Sequence, residues 1–221
     1  MSATGRSVVR HKDDFYETPA WAVEALINHL SPYHYGQGGG TILEPGCGKG
    51  AILNALQDSG RFGSHNLRGI ELNPYRARVA RVRHQVRCAD FLKSPWTLSA
   101  DMVVMNPPYK LALRFAQVSI EVVKKTSGSV HALLRLGFLA SAKRRDFWQH
   151  NPADVLVLSR RPSFCHVFTC KTCDAKRTRP RSVASMRCPK CRKKMGLTTT
   201  DAADYGWFSW GPGPRGRITV V

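Results

Sequence analysis

Two hydrophobic rhythms alternate along this chain. Short, mostly apolar runs at 41–44, 67–72, 85–89, 102–105, 130–136 and 154–159 have the length and composition of buried strands. Between them, apolar residues recur every three to four positions. Val23, Leu26, Ile27 and Leu30 form one such face, as do Ile52, Leu53 and Leu56, and Leu113, Ala116, Ile120 and Val123. An arginine-rich helix is predicted from Pro74 and another over 140–150. Thr18-Pro19 reads as an N-cap with proline at the first helical position. Strands alternating with helices predict a doubly wound α/β fold, with a mostly parallel sheet covered on both faces. The apolar rhythm stops after Ser159 and resumes at Tyr205-Gly206-Trp207-Phe208-Ser209-Trp210, with a short β-like run at 218–221 closing the chain.

The silent stretch is dominated by Arg, Lys, Cys, Pro and Ser, which marks it as an insertion. Cys170-x-x-Cys173 and Cys188-x-x-Cys191 supply four thiols in two knuckles, the pattern of a zinc ribbon with structural zinc, with an iron–sulfur cluster or free thiols as the alternatives. Four thiolates leave no open position on a metal for catalysis. Lys171, Lys176, Arg177, Arg179, Arg181, Arg187, Lys190, Arg192, Lys193 and Lys194 face a single acid there, Asp174. Over the whole chain, 34 Lys and Arg stand against 15 Asp and Glu, for a net charge of +19. Such a surplus suits a densely anionic partner, nucleic acid first. No apolar run approaches the length of a spanning helix, and the first residues lack a secretory signal's apolar stretch. Both point to a cytoplasmic protein without a membrane partner.

Candidate chemistry gathers at the strand ends. Glu44-Pro45-Gly46-Cys47-Gly48-Lys49-Gly50 lies between a strand and a helix, where glycines let the backbone turn tightly and approach a ligand. Glu71 ends the next strand, followed by Leu72, and Asp90-Phe91 ends the third. A carboxylate there can accept ribose hydroxyls or an adenine amine. A nicotinamide-type loop would give the same glycines. It would leave without a role Asn106-Pro107-Pro108-Tyr109, which follows the fourth strand as a stiff mouth for a flat amine. Asn106 and the Pro107 carbonyl are neutral acceptors for two amine hydrogens, and Tyr109 offers a ring for stacking. That mouth suits the amine of adenine in DNA or RNA, guanine N2, or a glutamine amide.

With these residues in view, the chain resembles the class I S-adenosylmethionine-dependent methyltransferases, and more narrowly the small phage and bacterial adenine-N6 DNA methyltransferases. The resemblance covers 14 to about 164 and then 201–210. It implies a Rossmann-like seven-stranded sheet in a methyltransferase domain at 1–164 and 198–221, and leaves outside it the ribbon-like insertion at 165–197 that composition and cysteine spacing mark. It implies S-adenosylmethionine as cofactor, with Glu44 at the methionine amino group, Glu71 at the ribose and Asp90 at the adenine. Gly46, Gly48, Leu72 and Phe91 would line the same site. Phe15-Tyr16-Glu17-Thr18-Pro19 is similar to the family's N-terminal cofactor motif, in which Phe15, Tyr16, Thr18 and Pro19 close over the methionine end. Phe164 occupies the place of the second aromatic wall that, with Tyr109, would clamp a flipped base. The expected activity is methyl transfer to adenine N6 in DNA. An RNA enzyme, a glutamine methyltransferase or a silent nucleic-acid-binding module are the alternatives.

Overall fold

A computed structural model describes residues 17–30, 39–93, 99–162, 165–173, 175–180, 185–198, 203–212 and 216–221. They fall into two compact units, Glu17–Arg161 with Ala203–Val221, and Pro162–Ala202.

The first unit is built on an eight-stranded sheet. Its strands are β1 (Thr41–Pro45), β2 (Asn66–Glu71), β3 (Gln85–Cys88), β4 (Met102–Met105), β5 (Ser129–Arg135), β6 (Asp154–Val157), β10 (Tyr205–Trp210) and β11 (Ile218–Val220). They lie in the order β11-β6-β10-β5-β4-β1-β2-β3. Only β10 runs antiparallel to its neighbours, β5 and β6; the other pairings are parallel. The seven strands of the resemblance are therefore joined by an eighth. Strand β11 pairs along β6, where the Arg217 N–H and guanidinium both reach the Asp154 carboxylate, each at 3.0 Å. The central strands β4 and β5 are buried along nearly their whole length, as expected where helices cover both faces.

Helix α1 (Ala20–His29) packs on α2 (Ala51–Asp58), and the Trp207 indole N–H donates to the Ala22 carbonyl at 2.7 Å. Helix α3 (Pro74–Ala80) lies against β2 and β3. Helix α4 (Ala112–Lys124) joins a cluster with Val103, Met105, Val130, Ala132, Phe208 and Trp210. Its buried face runs through Ala112, Phe115, Ala116, Ser119, Val122 and Val123, with Leu113 and Ile120 at the margin. The face is thus rotated from the one the apolar spacing predicts. Ser119 turns inward because its hydroxyl meets the Met105 sulfur at 3.5 Å, so a polar residue can be buried there.

The helix expected over 140–150 is shorter. Helix α5 covers Arg145–His150 and follows 3-10 turns at Leu136–Phe138 and Ala142–Arg144. The Arg144 guanidinium donates to the carbonyls of Gly137, Phe138 and Ala140, which holds that segment in tight turns. A cleft of about 640 Å³ between α4 and α5 is lined by residues such as Arg114, Glu121, Lys125 and Phe147 and by none of the expected site residues. No helix among the described residues is long and apolar enough to cross a membrane.

The second unit holds a three-stranded antiparallel sheet, with β7 (Cys165–Thr169) between β8 (Lys176–Pro180) and β9 (Gly196–Thr198). Cys170, Cys188 and Met195 are its buried centre, with Cys173, Ala175, Met186 and Cys191 packed around them.

Candidate functional site

Parallel pairing brings the carboxyl ends of β1, β2, β3 and β4 to one edge of the sheet. Glu44, Glu71, Asp90 and Asn106 all sit at or just beyond those ends. Gly46 and Gly48 have φ of 72° and 55°, in the left-handed region that glycine occupies without strain. That turn lets the N–H groups of Gly46 and Cys47 both reach the Ile70 carbonyl, at 2.7 and 3.0 Å. The Gly48 N–H donates to one Glu71 carboxylate oxygen at 2.8 Å, and the Asn73 N–H to the other at 2.8 Å. Glu71 is therefore fastened between the glycine loop and the start of α3, where Asn73 caps the helix through its side chain.

Glu44 is buried, and its carboxylate accepts from the Leu53 N–H at 3.2 Å, in the first turn of α2. Burial pushes its carboxyl well above the usual carboxylate range. The Leu53 hydrogen bond works against that shift, and the Glu71 charge adds to it. Burial likewise raises the Cys47 thiol, which is inert in this setting. Asp90 is half-buried, accepts from the Leu92 N–H at 3.0 Å and lies 3.8 Å from Lys93. Phe91 is buried, with its ring 5.3 Å from that of Phe115, so its aromatic surface packs into the core. Leu72, in contrast, is 66% exposed and presents an apolar side chain at the strand end.

Asn106, Pro108 and Tyr109 are half-buried and Pro107 is buried. The Asn106 Nδ2 donates to the Thr18 Oγ1 at 3.0 Å. Thr18 is thus not the N-cap that the sequence suggests. Pro19 occupies that position without a side-chain cap, and the Thr18 hydroxyl is spent on Asn106 instead. This contact sets the carboxamide's orientation, with the NH₂ toward Thr18 and Oδ1 on the other side as an acceptor. Next to Thr18, Glu17 pairs with Lys49 of the glycine loop at 3.1 Å. Pro19 is buried and its carbonyl accepts from the Ala22 N–H at 3.0 Å. Phe15, Tyr16 and Phe164 lie outside the described residues.

Two residues that the sequence pattern does not single out complete the mouth. Arg135 ends β5 and is the register partner of Tyr205, the first residue of β10. The Arg135 guanidinium stands 4.6 Å over the Tyr109 ring, and its Nε donates to the Tyr205 hydroxyl at 3.0 Å. That hydroxyl donates in turn to the Tyr109 hydroxyl at 3.1 Å. The only signal in the sequence is position, since both residues sit at the rim of an apolar run.

In the second unit the Sγ atoms of Cys170, Cys173, Cys188 and Cys191 all lie within 4.8 Å of one another. Three of the separations are 3.4, 3.4 and 3.9 Å. A tetrahedron with zinc–sulfur bonds near 2.3 Å has edges of about 3.8 Å, so the four sulfurs fit such an ion. The two knuckles are built alike, the N–H of Cys170 reaching the Ala175 carbonyl and that of Cys188 the Lys193 carbonyl, each at 2.9 Å. Backbone N–H groups, first those of Thr172 and Cys191, lower the thiols of Cys170 and Cys188, the former to about 6. The Cys173 thiol is pushed up, chiefly by its neighbour Cys188. The cluster can therefore form a metal site of the kind the spacing predicts.

No protein-family profile matches the chain. A Type II methyltransferase of Thermus thermophilus, M.TthHB8I, is 28% identical over 127 residues, which is 58% of this chain and 27% of that protein. A type I restriction-modification system methyltransferase subunit from Streptococcus thermophilus aligns with a TM-score of 0.58 at 16% identity, covering 90% of this chain and 45% of its own. The chain thus spans less than half the length of either. The structural likeness is one of fold, a methyltransferase-like α/β architecture with a mostly parallel sheet.

Proposed function

We propose that this chain is an S-adenosylmethionine-dependent methyltransferase acting on the N6 amine of adenine in DNA, with the base turned out of the duplex to reach the Asn106 mouth. The observation that carries this reading is the Thr18–Asn106 hydrogen bond, because it orients a neutral acceptor at the end of β4, beside the glycine loop and its acids. An aromatic amine is a weak nucleophile, since its lone pair is delocalised into the ring, and no ordinary side chain deprotonates it. Two neutral acceptors, Asn106 Oδ1 and the Pro107 carbonyl, hold both amine hydrogens and favour the pyramidal nitrogen that attacks. Catalysis is then positioning and electrostatic stabilisation without a general base: the methyl–sulfur bond would break as the methyl–nitrogen bond forms, leaving a neutral thioether, and the methylated amine would then lose its extra proton to water.

The strand-end residues suit the cofactor. A left-handed glycine loop admits a ligand close to the backbone, Glu71 offers a carboxylate to ribose hydroxyls, and exposed Leu72 offers apolar surface to a flat ring. Glu44, Gly46, Gly48, Thr18, Pro19 and Asp90 complete the set. The cofactor supplies a methyl group already activated on a sulfonium. Structural zinc held by the four cysteines would order the basic segment that binds DNA phosphates. The Type II methyltransferase among the relatives and the net charge of +19 both favour nucleic acid over a protein amide as substrate.

The test is transfer of labelled methyl from S-adenosylmethionine to unmethylated duplex DNA, with structured RNA in competition, followed by nucleoside analysis. N6-methyladenine in the DNA is expected. A folded, cofactor-binding protein that leaves DNA unlabelled would overturn the reading, and label in RNA alone would move it to the other polymer. Asn106→Ala should lower transfer at least about a hundredfold, with cofactor affinity nearly unchanged.

A further inference from the structure

We infer that Arg135 is a positioning residue for the target base, holding the Tyr109 ring as a fixed, polarised stacking platform with Tyr205 as its anchor. The inference rests on the base-methylating reading above and deepens it by naming what sets the platform. Among the described residues, Arg135 and Tyr205 converge on Tyr109. The Arg135 guanidinium covers one face of its ring at 4.6 Å, the Tyr205 hydroxyl binds its hydroxyl at 3.1 Å, and the Tyr205 ring lies 6.0 Å from its own. Arg135 and Tyr205 are joined to each other at 3.0 Å.

The placement of this clamp is set by the sheet. Arg135 and Tyr205 face each other across the antiparallel β5–β10 pair, and Tyr205 is fully buried. Tyr109 opens the 3-10 turn Tyr109–Leu111, which leads into α4. Fastening a turn-borne ring to two strand-borne side chains removes rotamer freedom that a base would otherwise have to remove on binding.

The chemistry of the platform selects its ligand. A guanidinium on one face confines a second stacking partner to the opposite face. It also draws ring density toward itself, so that opposite face is better matched to an electron-rich purine. A glutamine amide has no ring to use such a surface. The cluster therefore fits a purine amine better than a glutamine amide.

The experiment is single-turnover methyl transfer to chromosomal DNA from a methylation-free host, with Arg135→Met, Arg135→Lys and Tyr205→Phe beside the unaltered protein. Cofactor dissociation constants and melting temperatures are measured on the same samples. Arg135→Met is expected to slow the transfer step about tenfold while cofactor affinity and melting temperature hold, Arg135→Lys to recover part of the rate, and Tyr205→Phe to lose a few-fold. A wild-type rate in Arg135→Met overturns the inference. So does a faster rate, which would mean that the guanidinium occupies the place of the base. Parallel loss of rate, cofactor affinity and melting temperature overturns it too, by reducing Arg135 to a structural role. If the unaltered protein labels no nucleic acid, the base-methylating reading itself has failed and this inference with it.

Discussion

At the scale of single residues, the site rests on side chains held away from their solution preferences. Glu44 is the clearest case, a carboxyl that burial pushes well above its ordinary range. A carboxyl raised by folding binds its proton more tightly in the folded state. Its contribution is therefore fully present below the unfolded value and is lost as pH rises through the folded one. Glu44→Gln removes that titration. Its melting temperature should match wild type near about pH 4 and exceed it increasingly toward about pH 8, while its cofactor affinity falls. A constant offset across the pH range would show that Glu44 titrates normally. Thr18 makes a second, geometric case. Thr18→Val keeps the shape and removes the hydroxyl that orients Asn106, so single-turnover transfer should fall about tenfold with cofactor affinity unchanged, and Thr18→Ser should restore it.

Among elements, the decisive contacts are those of the glycine loop with the strand beside it. A Cβ at Gly69 of β2 would stand 2.7 Å from the Cys47 sulfur and 3.0 Å from Val86, both packed in the same small cluster. Gly69→Ala should cost about 1–3 kcal/mol in urea unfolding, and adding Cys47→Ala should recover part of it. Elements whose information is local were legible in the sequence. The strands of the first unit, the glycine turn, the acids at their ends and the paired cysteines each depend on neighbouring residues, whereas β7, β8 and β9 lie in a basic stretch without apolar alternation and were not legible. Legibility failed where a side chain's partner is distant. Thr18 looks like a cap until its hydroxyl meets Asn106, 88 residues away. The packing of Phe91 on Phe115 of α4 joins residues 24 positions apart, which no local pattern indicates. Arg135 and Tyr205 are 70 residues apart, and only strand register brings them together over Tyr109. The inward turn of Ser119 likewise depends on Met105 of β4, which the periodicity of α4 alone does not reveal.

For the whole molecule, charge and metal bear on the same segment. Ten of the 34 Lys and Arg fall within 165–197, whose only acid is Asp174. Like charge at that density repels itself, and among the described residues the buried centre of the unit is formed by Cys170, Cys188 and Met195, two of them metal-ligand candidates. Metal–thiolate bonds are the natural source of the missing stability, since binding free energy at such a site is folding free energy. Losing the metal should then release the cationic segment without touching the strand-end site. Replacing Cys170 and Cys188 by Ser, or stripping the protein with a chelator, should weaken DNA binding and flatten its salt dependence. The slope of log K against log salt should fall by about 0.9 for each phosphate that is no longer neutralised. Cofactor affinity should stay within about twofold, because Thr18, Pro19, Glu44, Gly46, Gly48, Glu71, Leu72 and Asp90 all belong to the first unit. An unchanged slope in the metal-free protein would place the phosphate contacts on the first unit, where the arginines of α3 and β3 would be the residues to replace next.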